Sequence, residues 1–163
     1  MRLFAVLVIL AALVAACDSN RVFEENKDFT KRAWNVSDTV AFEFAIADEN
    51  VNYNLHCNIR NTMDYPFSRI FVNYTLEDST HKVVASKLVT LSLFEAKTGE
   101  PFGNSGIGDI YDHRFPLLEN RKFAKGKYFV RLQHVMRTDT TNSYPVLPGI
   151  LAAGIRVEKV ESK

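Results

Sequence analysis

This chain lacks a marked excess of positive or negative charge. Its 163 residues include 20 Lys and Arg against 19 Asp and Glu, a formal net charge of +1. One of the basic residues is Arg2, in the first segment, so the chain after residue 16 is formally neutral. A protein that binds nucleic acid needs a basic surface for the phosphates, and this class of partner is therefore excluded.

The sequence also lacks the motifs of common enzymes. Gly103, Gly106 and Gly108 have the spacing of neither phosphate-binding loop, and no helical pattern follows them. A Gly-x-Ser-x-Gly nucleophile motif is absent, and the four histidines are not spaced as metal ligands on one helical turn. The sequence therefore predicts no catalytic residue, no metal, no cofactor and no small-molecule substrate.

One segment, GDIYDH, keeps a metal or hydrolase site open as a further hypothesis. Its Asp109, Asp112 and His113 are residue types that bind metals or move protons. In a strand, however, Asp109 and His113 share one face while Asp112 lies on the other. The three side chains do not converge by local geometry, so a site here would need another acid from a neighbouring strand.

Long apolar runs are absent except at the N-terminus. The run from Leu3 to Ala16 follows Met1 and Arg2, and it is shorter than the roughly 20 residues that span a bilayer as a helix. A charged start, an apolar middle and small residues at the end are typical of a signal peptide, here residues 1–16. A short membrane anchor is the alternative.

The end of that run contains the functional position that the sequence indicates most clearly. Val14-Ala15-Ala16-Cys17 resembles the bacterial lipobox, in which the signal is cut before the cysteine and the thiol is acylated. We expect Cys17 to carry lipid, residues 17–31 to form the lipidated cysteine and a polar tether, and residues 32–163 to form the domain. An ordinary signal peptide with an accidental cysteine is the other interpretation.

Alternation of apolar and polar residues runs through most of the remaining chain. This period-two pattern marks strands with one packed and one solvated face, and Gly, Pro, Asn and Asp gather between the runs, as turns require. The sequence predicts an all-β fold, an antiparallel β-sandwich of the jelly-roll kind with about seven to nine strands. The predicted inward-facing residues are Val40, Phe42, Phe44 and Ile46; Tyr53, Leu55, Cys57 and Ile59; Ile70, Val72, Tyr74 and Leu76; Val89, Leu91 and Leu93; Tyr128, Val130, Leu132, His134 and Met136; and Ala153, Ile155 and Val157.

Two reactive residue types fall on these apolar faces. Cys57 shares its face with Leu55 and Ile59, which predicts a buried, inert thiol rather than a nucleophile. With Cys17 lipidated, Cys57 has no partner for an internal disulfide. His134 likewise lies on an apolar face and is predicted to be a core histidine rather than a metal ligand.

The aromatic residues raise a binding alternative. Sandwich modules that bind sugars use exposed rings as platforms, and the one tryptophan, Trp34, precedes the first strong strand. Most Phe and Tyr residues lie on packed strand faces, while four rings are expected in loops: Tyr65, Phe67, Tyr111 and Tyr144. A lipid-anchored glycan-binding β-sandwich is therefore the alternative function.

Four segments, in this order, resemble the gliding motility-associated lipoprotein GldH family of the Bacteroidetes. They are CDSNRVFEENKDF, YNLHCNIRNTMDYPFSRIFVNYTL, SGIGDIYDHRFPLL and LPGILAAGIRVEKV, and the resemblance covers essentially the whole chain. It implies a cell-envelope lipoprotein required for gliding, in a system tied to type IX secretion. It also implies no established activity, cofactor or catalytic residue, and Cys17 is the one functional position that it transfers.

The tripeptides DTV, DST and DTT resemble the acceptor motif for O-glycosylation in the same phylum. Their candidate acceptors are Thr39, Ser79 and Thr140, all in or beside predicted loops. Asp followed by Ser or Thr is also ordinary turn chemistry, and both interpretations stay open.

These observations predict a non-catalytic envelope lipoprotein that supports the motility and secretion machinery through contacts with other envelope proteins. The lipid on Cys17 would anchor it in a membrane, and we expect the outer membrane with the domain facing the periplasm. The loops NTMDYPFS and NSYPVLPG are predicted contact points, because Tyr and Pro give contact area at low entropic cost. Ordinary surface turns are the alternative for both loops.

Overall fold

The computed structural model of the chain describes residues 18–137 and 143–161. Over these residues no helix has the length and apolar character needed to cross a membrane. A short 3-10 turn covers Thr30–Arg32, and the rest of the regular structure is strand. The strands are β1 (Arg21–Asp28), β2 (Ala33–Asn35), β3 (Val40–Ile46), β4 (Asn52–Thr62), β5 (Arg69–Asp78), β6 (Val83–Ser92), β7 (Asn104–Ser105), β8 (Ile110–Lys122), β9 (Gly126–His134), β10 (Val146–Pro148) and β11 (Ile150–Lys159).

The strands form two packed antiparallel sheets and a small ribbon. One sheet has the order β1-β11-β4-β8-β7, the other β3-β9-β5-β6, and β10 pairs with β2. Except for the β5–β6 hairpin, successive long strands alternate between the two sheets, and the first strand pairs with the last. This is the strand order of a jelly roll, so the predicted all-β antiparallel sandwich is confirmed.

The core lies between the two sheets, where the alternation places it. In β3, β4, β5 and β9 the predicted inward-facing residues are all buried. Cys57 and His134 are fully buried among them, as predicted. Burial raises the pKa of the Cys57 thiol to about 12, which keeps it protonated and unreactive at neutral pH.

Strand β6, one of the two edges of the four-stranded sheet, departs from the prediction. Leu91 is buried, but Val89 is only half-buried, and Leu93 is buried beyond the end of the strand. Val83 and Leu88 are exposed. An edge strand has a neighbour on one side only, so alternation there does not imply burial.

The segment expected to be a tether is largely part of the sandwich. Strand β1 pairs with β11 from Arg21 opposite Glu158 to Asp28 opposite Ala152, so the predicted boundary at residue 32 falls inside the fold. The ring of Phe23 approaches that of Phe44 in the facing sheet, with centroids 6.2 Å apart. Apart from Val22 and Phe23, the residues of β1 are polar, because β1 is an edge strand with its outer face in water. This composition resembles that of a spacer.

Candidate functional site

The outer face of the five-stranded sheet holds a cluster of one arginine and three carboxylates. Arg156 lies in β11, opposite Glu24 of β1 and His56 of β4. Its Nη1 donates to Glu24 Oε2 at 2.8 Å and its Nε donates to Glu158 Oε2 at 2.8 Å. Its Nη2 donates to the carboxylate of Asp18. We call Arg156, Asp18, Glu24 and Glu158 the polar cluster.

Arg156 is almost fully enclosed by its partners. Its exposed fraction is only 6 %, although it points away from the core. Burial opposes its charge, but hydrogen bonds to Glu158, Asp18 and Glu24 outweigh this and raise its pKa. The Arg156 hydrogen bond lowers the pKa of Asp18. At Glu24, burial acts to raise the pKa, and hydrogen bonds from Arg156 and Asn58 more than reverse it.

Further cross-strand pairs extend this network over the sheet. Asn58 Nδ2 donates to Glu24 Oε1 at 3.0 Å, and Arg60 binds Asp112 with two hydrogen bonds of 2.7 and 3.3 Å. A recess of about 340 Å³ lies beside these side chains and extends to Arg114. Gly154 forms part of this face, and a side chain there would collide with the Asn26 amide. The face is thus built mainly for mutual pairing of charges and amides.

The polar cluster reaches one end of the sandwich, which we call the N-terminal end and define by Asp18, Asn20, Asn52, Asn120 and Glu161. The Lys159 N–H donates to the Asn20 carbonyl at 2.8 Å, and Asn20 Nδ2 donates to Glu161 Oε1 at 2.7 Å. Asn52 Nδ2 donates to Asn120 Oδ1 at 2.7 Å. The side chains of this end therefore bind one another.

The opposite end carries exposed apolar side chains. We define this apolar end by Met63, Phe102, Ile107 and Val146, which are exposed, with Ile107 at 93 % and Phe102 at 58 %. Backbone hydrogen bonds join their loops: Met63 N–H to Asp109 at 3.0 Å, and Phe102 N–H to Leu93 at 2.9 Å. Large apolar groups gathered in loops at one end are typical of a contact surface.

Both loops predicted as contact points lie at this end and pack against each other. The Phe67 ring lies edge-on between Tyr65, at 5.6 Å, and Tyr144, at 5.3 Å. Tyr65 is buried rather than exposed, and its hydroxyl donates to the Arg69 carbonyl at 3.1 Å. Gly149 closes the second loop with φ of +81°, and a side chain there would meet the Tyr65 amide at 2.9 Å. Packed rings thus hold the apolar end in shape.

Trp34 contributes to the core under the apolar end and not to a surface platform. It is fully buried, stacks on Phe29 at 5.0 Å, and meets the His134 ring at 5.4 Å. Its indole N–H donates to the Asp38 carbonyl at 2.7 Å. The ring considered as a sugar platform is therefore inaccessible.

The GDIYDH segment does not assemble a reactive site. Asp112 faces outward and pairs with Arg60, whereas His113 is buried and stacks on Phe115 at 5.7 Å. Burial lowers the pKa of His113 to about 4, so it is neutral at pH 7. Within the part of the chain that the structure describes, no group of three His, Cys, Asp or Glu residues could hold a metal ion. Asp109 precedes β8 and does not join either residue.

Two of the four predicted modification sites lie within the residues that the structure describes. Thr39 and Ser79 are exposed in turns. Beside Ser79, the Asp78 carboxylate accepts hydrogen bonds from the Thr80 and Lys82 amides at 2.8 and 3.1 Å, which is the turn chemistry expected of such a sequence. Cys17 and Thr140 lie outside the described residues.

Sequence reasoning missed the polar cluster. The alternation that places Ile155 and Val157 inward leaves Arg156 between them on the outer face, but it does not indicate that Arg156 is enclosed by Asp18 and Glu24. An acidic residue at each of positions 18, 24 and 158 becomes a signal only once the register of β1 against β11 is known. The exposed Phe102 and Ile107 were likewise not singled out, because they lie in a loop without periodicity.

Comparison with known proteins identifies the family. The family model described as GldH lipoprotein matches residues 21–157. The chain belongs to the GldH lipoprotein family. The gliding motility lipoprotein GldH of Flavobacterium johnsoniae is 30 % identical over 155 residues, which cover 94 % of each chain. A GldH homolog of Christiangramia forsetii is 29 % identical over 163 residues, which cover 98 % of each chain. GldH membership makes this protein a membrane-anchored, motility-associated lipoprotein of the cell envelope.

The solved structures that match this GldH chain do so at a distance. The VP2 subviral particle of infectious bursal disease virus matches with a TM-score of 0.44 and 11 % identity, over 86 % of this chain and 33 % of that one. A cellulose-specific carbohydrate-binding module matches with a TM-score of 0.40 and 9 % identity, over 85 % of this chain and 72 % of that one. The chain thus spans about a third of the viral protein. Likenesses this distant carry no argument about function.

Proposed function

We propose that this protein is a non-catalytic envelope lipoprotein that supports gliding motility and the linked type IX secretion machinery by binding other envelope proteins. The signal is cut before Cys17, the thiol is acylated, and the lipid anchors the domain in the outer membrane, facing the periplasm. Its ligands are proteins, not nucleic acids or small molecules. Thr39, Ser79 and Thr140 are candidate O-glycosylation acceptors in the same proposal.

The apolar end is the single observation that carries the proposal. A monomeric domain gains nothing in stability from exposed groups such as Phe102 and Ile107, and such groups in a cluster mark interaction sites. The packing of Tyr65, Phe67 and Tyr144 against one another in the loops of the same end lowers the entropic cost of binding a partner.

Charge pairing supports the non-catalytic part of the proposal. The acids on the outer face, such as Glu24 and Asp112, are bound to arginines, and this pairing lowers the pKa of Glu24. A general acid or base works best with a pKa near the working pH. The paired carboxylates of Glu24 and Asp112 therefore stabilise the fold and do not act as general acids or bases.

The glycan-binding alternative has less support. The recess beside Asn58 and Arg60 offers polar groups, but its lining contains no tyrosine, tryptophan or phenylalanine among the described residues. Stacking rings are what sandwich modules use to bind sugars, and Trp34 is buried. If a titration with soluble oligosaccharides shifted the NMR signals of residues on this face, it would support the glycan-binding alternative.

The test removes apolar groups from the apolar end and from another surface. The test variant is Phe102→Ser with Ile107→Ser, and the matched control is Val84→Ser with Leu88→Ser on the edge strand β6, where both residues are also exposed. Proteins bound in living cells are captured by crosslinking and identified by mass spectrometry. We expect motility or secretion components with the natural protein and the control, and their loss with the test variant. Equal capture by both variants would contradict the proposal.

The same variants check that binding and not folding is affected. Exposed apolar side chains contribute little to folding, so we expect each double variant to keep its free energy of unfolding within roughly 0.5 kcal/mol per substitution. A large loss of stability in the test variant would mean that these residues support the fold.

A further inference from the structure

The described chain begins at a fixed point of the sandwich. Asp18 is bound by Arg156, and it is the residue that follows Cys17 in the sequence. Arg156 is held in turn by Glu24 and Glu158 at 2.8 Å. The position from which the N-terminal segment leaves the domain is therefore set by an enclosed ion cluster.

Backbone contacts fix the same segment independently. The Arg21 N–H donates to the Asp18 carbonyl at 3.2 Å, closing a turn, and the Lys159 N–H donates to the Asn20 carbonyl at 2.8 Å. Asn20 also binds Glu161 through its side chain at 2.7 Å. Residues 18–20 are thus a docked turn and not a free spacer before β1.

The two ends of the sandwich are far apart. Strand β4 runs from Asn52 at the N-terminal end to Thr62, next to Met63, over 11 residues. At roughly 3.3 Å per residue the ends are about 33 Å apart. Asp18, the first described residue, therefore lies at the opposite end of the domain from the apolar end.

We propose that the polar cluster clamps the residue after the lipidated cysteine, so that the N-terminal end rests on the phospholipid headgroups and the apolar end points away from the membrane. This inference rests on the proposed acylation of Cys17. A flexible 15-residue tether would allow the domain about 20 Å of movement in any orientation. The clamp replaces this freedom with one orientation, and it presents the apolar end to a partner at a fixed height.

The first test measures the mobility of the docked turn in the complete lipoprotein. The acylated chain is placed in phosphatidylethanolamine nanodiscs with a nitroxide on Ser19→Cys, since Ser19 is exposed and Cys57 is fully buried and does not react. We expect an immobilised spectrum, several-fold faster motion after Asp18→Ala, and no change after the control Asp28→Asn at the other end of β1. A mobile label in the natural sequence would overturn the clamp.

The second test measures orientation. Nitroxides are placed on Asn50→Cys, beside the N-terminal end, or on Asp64→Cys, beside the apolar end, both exposed positions. We expect the label at 50 to broaden the ³¹P signal of the headgroups, the label at 64 not to, and the contrast to shrink after Asp18→Ala. Equal broadening would overturn the inference. The mass of the protein separates the two proposals: absent acyl chains contradict the lipoprotein assignment, while correct acylation with equal broadening contradicts only the clamp.

Discussion

The N-terminal end and the apolar end of this sandwich use their side chains in opposite ways. At the N-terminal end, Asn52 of β4 binds Asn120 of β8, and Arg156 of the last strand is enclosed by three carboxylates. At the apolar end, Phe102 and Ile107 are exposed, Ile107 almost completely. The side chains of one end bind one another, and the other end leaves apolar side chains exposed. The proposed role, an adaptor held by one end, rests on this contrast more than on any single residue.

Their local structures explain the difference. The N-terminal end consists of paired strand termini and short turns, where register fixes each side chain against a neighbour. The apolar end consists of the loop at 63–68, the segment 93–109 with the short strand β7, and the segment 143–149 with β10. Loops can vary their side chains without breaking a ladder, which is why binding residues concentrate there.

The largest effect is expected from Trp34, which supports the apolar end from within. Trp34→Ala leaves a cavity between Phe29 and His134, and we expect it to lower the free energy of unfolding by about 3–5 kcal/mol. Denaturant unfolding of the purified protein measures this. Trp34→Phe keeps part of the ring volume and should lose less. A loss below about 1 kcal/mol for the alanine variant would mean that the apolar end is not supported by this ring.

Acid should weaken the contributions of His113 and of the carboxylates of the polar cluster in different pH ranges. Burial lowers the pKa of His113 from 6.5 to about 4, so its contribution is fully present above pH 6.5 and is lost as pH falls toward 4. The largest loss in the free energy of unfolding that this pKa shift can cause is about 3 kcal/mol. Asp18 and Glu24 have lowered pKa values, so their contribution is present above the ordinary values of 3.8 and 4.5 and is lost only below them.

The variant His113→Gln tests whether His113 causes the loss of stability between pH 6.5 and about 4. It removes the titrating ring near Gly103 and Phe115, so its free energy of unfolding should fall less between pH 6.5 and about 4.5 than that of the natural protein. The remaining slope comes from His56 and His134, whose pKa values burial also lowers. Melting temperatures measured across this range check the expectation. The same slope in the variant and the natural protein would assign the acid sensitivity to another group.

A smaller effect is expected from the polar cluster. Arg156→Leu leaves Glu24 and Glu158 partly buried without their partner, and we expect a loss of about 2 kcal/mol because both carboxylates can take up water. Lys127→Ala is the control, since Lys127 and Glu43 form an exposed pair at 2.6 Å that should contribute under about 1 kcal/mol. Equal losses in the two variants would show that the cluster is an ordinary surface network.

The sequence predicts the sandwich well because its signal is local. Alternation over Val40–Ile46 or Ile70–Leu76 records which face is packed, and burial of Cys57 and His134 follows from the same pattern. It predicts the edges poorly. The polar strand β1 resembles a tether, and the alternating strand β6 resembles a buried strand, because the number of neighbours of a strand is a property of topology.

For the candidate sites too, local patterns predict the region but not the contacts between distant residues. Loops rich in Tyr and Pro indicate the region of the apolar end, but Tyr65 is buried and Ile107 is exposed, since tertiary packing decides which ring or methyl is covered. Arg156 meets Asp18 across 138 positions of sequence. No local pattern encodes such a meeting, and it becomes visible only with the register of β1 against β11.

The most direct test of the account is photo-crosslinking in living cells from one position at each end. A photoreactive amino acid replaces Ile107 at the apolar end or Asn50 beside the N-terminal end, both exposed. We expect position 107 to capture motility or secretion proteins and position 50 to capture phospholipid. Protein capture from position 50 together with lipid capture from position 107 would contradict it.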